Sequence, residues 1–163
     1  MTVRPRGAVR RAVDAGFRVA LRGAYLGARV WWRLRRAPHE GALAALWCGG
    51  RIVLVRTSYR RGIWSLPGGG IRRGEPGALA AARECREEIG LSLDAGSLRL
   101  AFTHSDRWEG RPDTVHVYEA HFAAEPALAI DHREIAAAEL VDPDAALARK
   151  LPPHLRAYLE QRR

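Results

Sequence analysis

The 163-residue sequence predicts an α/β fold, an α/β/α sandwich with a mixed sheet, preceded by a long N-terminal amphipathic helix. Three observations predict it. Residues 9–36 carry apolar side chains at a helical period. Beyond them the pattern changes to short apolar runs of strand length. Among these runs lies a stretch of strong helix formers at 78–83, between Pro76, which suits a first helical turn, and Gly90, which suits the residue just past the end of the helix. The length suits one domain with a core of its own.

The N-terminal arm, defined as residues 1–37, reads as one helix over 9–36 that ends before Pro38. On a helical wheel seven of its ten arginines fall within about 60° of one another. These arginines are Arg4, Arg11, Arg18, Arg22, Arg29, Arg33 and Arg36. Roughly opposite lies an apolar side made of Val9, Val13, Phe17, Ala20, Ala24, Trp31 and Leu34.

The positive charge is concentrated in this arm. It contains ten arginines and one acid, Asp14, so it carries the whole net charge of +9. The domain that follows, 38–163, has 17 basic and 17 acidic residues and is neutral. The chain is therefore predicted to be a balanced domain behind a cationic arm.

Three roles for the arm stay open. Its apolar face docks on the domain or on a partner subunit, or it lies on an anionic membrane surface, which its arginine side and Trp31-Trp32 suit. Alternatively it contacts the phosphates of RNA. Because no run is apolar enough to span a bilayer and no signal peptide is recognisable, we expect a cytoplasmic location. In the membrane reading the protein is peripheral at the inner membrane surface.

The domain begins with two apolar runs around Gly49-Gly50, which predict a β-hairpin. A polar, basic connection follows before a strand that begins at Trp64. Cys48 and Cys85 stand in apolar contexts and read as buried free cysteines. The remaining expectations are strands at 98–103 and 115–122, a polar loop at 104–113, an ambiguous segment at 135–141 that ends in a short strand, and closing helices at 144–150 and 154–163.

Three glutamates on the predicted helix at 77–89 share one face. Glu84, Glu87 and Glu88 are spaced i, i+3 and i+4. Like charges at this spacing repel by about 0.2–0.5 kcal/mol per pair, so their clustering indicates a site that needs the charge. Clustered carboxylates are typical ligands of a hard divalent cation, Mg²⁺ or Mn²⁺.

The segment 69–91, which reads GGIRRGEPGALAAARECREEIGL, resembles a complete Nudix box. Cys85 is a mild departure, since the family usually has a larger aliphatic residue there. The resemblance in general layout covers about residues 40–160. It implies the Nudix version of the α/β/α sandwich. The residues that carry it are Gly69, Glu75, Arg83, Glu84, Glu87, Glu88, Gly90 and Leu91.

The resemblance implies hydrolysis of a nucleoside diphosphate linked to another group, by water attack on phosphorus. It implies that Glu84 and Glu88 contact the metal directly, with Glu87 closer to the activated water. Arg83 and Glu75 would form an ion pair that aims the glutamates. Gly69 would let the backbone approach the metal.

The general base and the substrate contacts are less constrained. Glu134 is the candidate base, with Glu139 as the weaker alternative. Arg60 and Arg61, just before the box, and Arg107 and Trp108, downstream of it, are candidates for contacting phosphate or a base. Markers of the ADP-ribose and dinucleoside polyphosphate subfamilies are absent or displaced, so the sequence does not name the substrate.

Two other functions remain open beside the metal-dependent hydrolase. One is a pyrophosphohydrolase of RNA 5′ ends, which the cationic arm permits. The other is a non-catalytic, nucleotide-sensing Nudix-fold regulator. Such binders usually lose box glutamates, and this chain keeps all of them.

Overall fold

The computed structural model describes residues 13–17, 19–21, 23–27, 38–60, 62–108 and 111–162. A short 3₁₀ turn lies at Ala95–Ser97, in the loop after the helix that ends at Ile89. The strands and helices, in chain order, are β1 His39–Cys48, β2 Arg51–Thr57, β3 Trp64–Ser65, β4 Gly68–Gly70, α1 Gly77–Ile89, β5 Arg99–Trp108, β6 Arg111–Phe122, β7 Ile135–Val141, α2 Pro143–Leu147 and α3 Pro153–Gln161.

One seven-stranded mixed sheet organises the domain. Its order is β3-β2-β1-β6-β5, with β4 paired to β1 and β7 paired to β2. β1 and β6 run parallel, from His39 opposite Asp113 to Cys48 opposite Phe122, and the other pairs are antiparallel. This confirms the expected α/β fold with a mixed sheet.

The two faces of the sheet carry separate cores, because successive side chains of a strand point to opposite sides. On one face the alternate residues of β1 that begin at Ala42 pack with Cys85 and Ile89 of α1. On the other face Trp47 packs with Leu155 and Leu159 of α3. Helices therefore cover both faces, as the sequence predicts.

Both cysteines are free and buried, which confirms their reading as small apolar residues. Burial raises the pKa of the Cys85 thiol well above its usual range. Cys85 therefore belongs to the packed side of α1, with the glutamates on the other side.

The prediction of a loop at 104–113 is wrong. β5 continues to Trp108 and β6 begins at Arg111, so most of the segment is a long hairpin. Several of its polar side chains are exposed, and some pair across the strands, as Ser105 Oγ and Thr114 Oγ1 do at 3.1 Å, whereas Asp113 is buried. Polarity here reflects exposed strand faces. Similarly, 135–141 is a strand along its whole length, and α2 ends at Leu147, short of the expected residue 150.

The end of α1 follows the expected glycine. Gly90 has φ 65°, and its N–H donates to the carbonyl of Cys85. A Cβ at this position would lie 2.8 Å from the Cβ of Ala129. The left-handed turn and the close approach both require glycine, and they fix where the helix that carries the glutamates ends.

The described residues of the N-terminal arm are helical. Asp14 is buried at 5 % exposure, and Leu21 and Tyr25 are half-buried against the domain. Val13 and Ala20, on the expected apolar side, are instead exposed. On a helical wheel with about 100° per residue, Asp14, Leu21 and Tyr25 are centred roughly 100° away from the centre of the predicted apolar side. The docked side is therefore displaced from the predicted one, although Phe17, beside Arg133, and Ala24, in the lining of a cavity of the domain, belong to the predicted side.

The seven arginines of the predicted cationic side lie outside the described residues. Residues 28–37 also lie outside them. Within the part of the chain that the structure describes, no helix combines the length and apolar character needed to cross a bilayer.

Candidate active site

Strand β4 and helix α1 hold two of the glutamates against one stretch of backbone. β4 pairs antiparallel with β1, which places Gly69 opposite Ala42. A Cβ on Gly69 would lie 2.7 Å from Oε1 of Glu84, so this carboxylate lies directly against the strand. The N–H of Gly68 donates to Oε2 of Glu88 at 3.0 Å. The glycines thus leave room for two carboxylates beside the backbone.

Glu88 is a buried carboxyl group, 5 % exposed. Burial raises its pKa to about 8, and the charges of Glu84 and Glu134 act in the same direction, whereas the Gly68 N–H and Arg60 oppose them. The site therefore favours a positive charge, a proton or a cation, beside Glu88.

Arg83 joins the box loop to α1. Its Nε donates to Oε1 of Glu75 at 2.8 Å, and its Nη2 donates to the other oxygen at 3.0 Å. Its Nη1 donates to Oε1 of Glu84 at 2.6 Å, and Nη2 also donates to the carbonyl of Gly70 at 3.1 Å. The two hydrogen bonds from Arg83, and one from the N–H of Arg72, lower the pKa of Glu75 to about 2. The arrangement matches the ion pair that the box predicts.

Glu87 is placed differently from the other two box glutamates. Its side chain is 48 % exposed, with Oε2 at 3.5 Å from Nη1 of Arg83 and Oε1 at 3.9 Å from Nη2 of Arg72. Among the described residues, no three His, Cys, Asp or Glu side chains form a group that could by itself hold a metal ion. Glu84 and Glu88 supply hard oxygen donors of the kind Mg²⁺ and Mn²⁺ prefer, which fits the expected cation.

A cavity of about 460 Å³ opens beside these glutamates, a size typical of small-molecule sites. Gly68–Gly70 and Glu88 line one part of it, and Arg60 lines another. Leu21, Ala24 and Tyr25 of the N-terminal helix also line it.

Glu134 lies in the same cavity, on the loop that precedes β7. The N–H of Ser58 donates to its carbonyl at 2.7 Å, which fixes the loop. Burial raises the pKa of Glu134, and Asp131, Glu84 and Glu87 add to this shift. Glu139, the weaker candidate base, is on β7 and accepts a 2.7 Å hydrogen bond from Arg149. The structure brings Glu134, and not Glu139, to the cavity.

The predicted substrate contacts also differ in whether they line the cavity. Arg60 lines the cavity, whereas Arg107 is an exposed residue of β5 outside its lining. Arg61 is outside the described residues. Trp108 ends β5, and its side chain is outside the described part of the chain.

Sequence reasoning missed a polar cluster that also lines the cavity. His39 Nδ1 lies 2.6 Å from Oδ1 of Asp113, and His154 is buried nearby, at the start of α3. Burial lowers the pKa of His154 to about 4, against the opposing effect of Asp113. These residues meet only because β1 and β6 pair in parallel and α3 packs beside them, so no local pattern could reveal them.

Comparisons with known proteins agree with this geometry. The family model described as NUDIX domain matches residues 37–161. An 8-oxo-dGTP diphosphatase of Buchnera aphidicola subsp. Acyrthosiphon pisum (strain APS) is 26 % identical over 81 residues, which cover 42 % of this chain and 65 % of that relative. The chain thus spans just under two thirds of that relative's length.

Solved structures extend the likeness. A MutT NUDIX hydrolase from Burkholderia pseudomallei is 29 % identical with a TM-score of 0.67, and the match covers 77 % of this chain and 98 % of that one. The E. coli ORF135 protein is 25 % identical with a TM-score of 0.62, covering 76 % and 86 % of the two chains.

Proposed function

The chain belongs to the NUDIX domain family, and from this premise we propose that it is a divalent-metal-dependent pyrophosphohydrolase. It cleaves a diphosphate linkage in a nucleotide-type substrate by water attack on phosphorus. One observation carries the proposal above the others. Glu84 and Glu88 lie against the glycines of β4, and Glu88 and these glycines line a cavity that Glu134 also lines.

Each carboxylate has a proposed role. Glu84 and Glu88 hold the cation, Mg²⁺ or Mn²⁺, with Gly69 leaving the backbone accessible beside them. Glu87 completes the acidic set near the attacking water. A divalent cation, when bound, neutralises the phosphate oxygens and lowers the pKa of a bound water. Glu134 takes the proton of the attacking water as general base.

The remaining polar residues position these groups. Arg83 and Glu75 keep α1 and the box loop in register, so that Glu84 stays beside β4. Arg60 faces the cavity near Glu88 and contacts substrate phosphate. Arg61, Arg107 and Trp108 remain predicted contacts: Arg107 lies outside the cavity lining, and Arg61 and the Trp108 side chain lie outside the described part of the chain.

A substrate screen in Mg²⁺ and in Mn²⁺ tests the proposal. Purified protein is incubated with nucleoside triphosphates including 8-oxo-dGTP, ADP-ribose, nucleotide sugars, dinucleoside polyphosphates and 5′-triphosphate RNA, and products are separated by chromatography. We expect hydrolysis of at least one nucleotide, which EDTA abolishes. 8-oxo-dGTP is included because the Buchnera aphidicola relative is named for it.

Glu88→Gln is the decisive variant, with Glu160→Gln, an exposed residue of α3, as the matched control. The glutamine keeps an acceptor for the Gly68 N–H but removes the charge. We expect the rate to fall by at least about a hundredfold, with no change in the control. An unchanged rate in Glu88→Gln contradicts the proposal. Nucleotide binding without metal-dependent hydrolysis of any substrate would favour the regulator instead.

The other expectations stand as proposals beside this one. We keep the division into an arm, 1–37, and a hydrolase domain, 38–163. The cytoplasmic location, the inner membrane surface, a partner subunit and RNA remain predictions for the protein and its arm. The described contacts of the arm are with its own domain.

A further inference from the structure

We propose that Tyr25 of the N-terminal helix is a specificity-determining residue that packs against the planar, uncharged end of the substrate. For a nucleotide this end is the base. The inference rests on the proposed function and adds to it, because it makes the arm a part of the substrate site.

The helix stands outside the segment that the family model matches, which begins at residue 37. Even so, Leu21, Ala24 and Tyr25 line the same cavity as Glu88 and Glu134. One wall of the site is therefore built from a segment that this chain adds to the family domain.

Tyr25 is held in this wall by two neighbours on the connection after β2. Its ring centroid is 5.0 Å from that of Tyr59, with the planes inclined at 47°. Its hydroxyl accepts a hydrogen bond from Nε of Arg60 at 3.0 Å, and Cζ of Arg60 is 5.4 Å from the centroid of the ring. Tyr25 is half-buried, and it is one of the residues that line the cavity. Tyr25 is therefore a positioned aromatic surface.

Arg60 gives the cavity a direction. It lines the same cavity as Glu88 and donates a hydrogen bond to Tyr25. We expect a substrate whose phosphates lie beside Glu88 to place its uncharged end in the part of the cavity that Tyr25 lines. Apolar residues line the cavity as well, among them Leu43 and Val115. A planar group with little charge suits such walls.

Tyr25 has a second reading, as a brace that only fastens the helix to the domain. The two readings differ in what they affect. A brace alters the affinity for every ligand of the cavity through the same change in helix position. A stacking residue alters the affinity only for ligands that have a base.

The experiment measures binding by isothermal titration calorimetry on the full chain in Mg²⁺. The probes are α,β-methylene nucleoside triphosphates with adenine, guanine, cytosine or uracil, and inorganic tripolyphosphate, which has no base. The variants are Tyr25→Ala, Tyr25→Leu and Tyr25→Phe. Leu26→Ala, at an exposed position of the same helix, is the control.

We expect Tyr25→Ala and Tyr25→Leu to raise the Kd of the best-bound nucleotide by about tenfold to a hundredfold, since this is the usual effect of losing one aromatic–base stack. Tyr25→Phe and Leu26→Ala should change it by less than about threefold, and no variant should alter tripolyphosphate binding by more than about twofold.

Three results overturn the inference. They are unchanged nucleotide binding in Tyr25→Leu, an equal loss for tripolyphosphate, and wild-type protein that binds nucleotides no better than tripolyphosphate. Hydrolysis by the wild type is scored separately. If nucleotide is hydrolysed but Tyr25 does not matter, the proposed function survives alone. If Tyr25 controls nucleotide binding but nothing is hydrolysed, only the inference survives.

Discussion

The cavity has two walls that arise in different ways. The glutamate wall, formed by β4 and α1, holds Glu84 and Glu88 against glycine backbone. The helix wall, formed by Leu21, Ala24 and Tyr25 with Tyr59 and Arg60, holds an aromatic pair and an arginine. The first wall comes from one continuous segment. The second wall joins two segments that are distant in the chain, since Tyr25 and Arg60 are 35 residues apart.

The comparison teaches where chemistry and selectivity are encoded. In the glutamate wall, helix period and turn glycines place the carboxylates through local geometry. In the helix wall, the placement depends on tertiary docking and can change without touching the carboxylates. We therefore expect changes in the glutamate wall to lower the rate with all substrates, and changes in the helix wall to alter which substrate is bound.

The largest effect is expected at Glu134, which lines the cavity on the loop before β7. Glu134→Gln retains the size of the side chain but removes its ability to accept a proton. We expect kcat to fall by about a hundredfold or more, with KM little changed, because general-base catalysis typically contributes that much. Steady-state kinetics measures the change.

The matched control for this loss is Glu139→Gln, which removes a carboxylate on β7 that pairs with Arg149 away from the cavity. It should leave kcat unchanged. Equal rates for wild type and Glu134→Gln would show that the base is another group, and would leave the metal-binding role of the glutamate wall untouched.

Gly69→Ala tests how closely the glutamate wall is built. The new methyl group would lie 2.7 Å from Glu84 Oε1. The end of a side chain can move aside, so the fold should survive while the carboxylate is displaced. We expect kcat/KM to fall by about tenfold to a hundredfold, since a shift near 1 Å at a reacting site can cost that much.

Gly70→Ala is the neighbouring control, because its Cβ would meet only Nε2 of His39, at 3.3 Å. Thermal melting should show both variants folded, with hydrolysis lowered mainly in Gly69→Ala. If Gly69→Ala hydrolyses substrate at the wild-type rate, the contact between this glycine and Glu84 has no catalytic importance.

The sequence predicts the features that local signals determine, and it does not predict those that depend on tertiary contacts. The mixed sheet, the helix at 77–89 and its end at Gly90 were predictable, because period and glycine placement are local signals. The hairpin of β5 and β6 was not, because its outward polar residues resemble a loop until pairs such as Ser105 and Thr114 are seen. Strand length there depends on pairing across the sheet.

The site shows the same limit. Arg83 and Glu75 pair as the box predicts, whereas His39, Asp113 and His154 are collected from three separate elements. The docked face of the N-terminal helix was also misjudged, because the wheel shows which residues are apolar but not which surface they meet. Asp14, a charged residue, is buried on that face, while the apolar Val13 is exposed.

Arg83→Lys should have a moderate effect on the glutamate wall. Lysine keeps the charge but cannot form the fork that joins Glu75, Glu84 and the carbonyl of Gly70. We expect kcat/KM to fall by about tenfold, the usual size of a change in a group that orients metal ligands. Arg86→Lys, three residues along the same helix, should be silent. A fully active Arg83→Lys would show that charge alone is enough.

Arg133→Ala should have the smallest effect, and this effect should be confined to the N-terminal helix. Cζ of Arg133 lies 4.8 Å from the ring centroid of Phe17, and its Nε lies 3.9 Å from Oδ1 of Asp14. Half of the side chain is exposed, so we expect these contacts to contribute no more than about 1 kcal/mol to docking. Hydrogen exchange should become faster at residues 13–17 and 23–27, with α1 unchanged.

Arg162→Ala is the counterpart on the other face of the sheet, where Arg162 lies over Trp47, with Cζ 4.7 Å from the ring centroid, and pairs with Glu119. It should speed exchange in α3 and leave the N-terminal helix unchanged. If Arg133→Ala leaves exchange at 13–17 and 23–27 at the wild-type rate, Arg133 does not hold the helix. If it instead slows hydrolysis of every substrate while Arg162→Ala does not, the two walls are coupled and cannot be assigned separate roles.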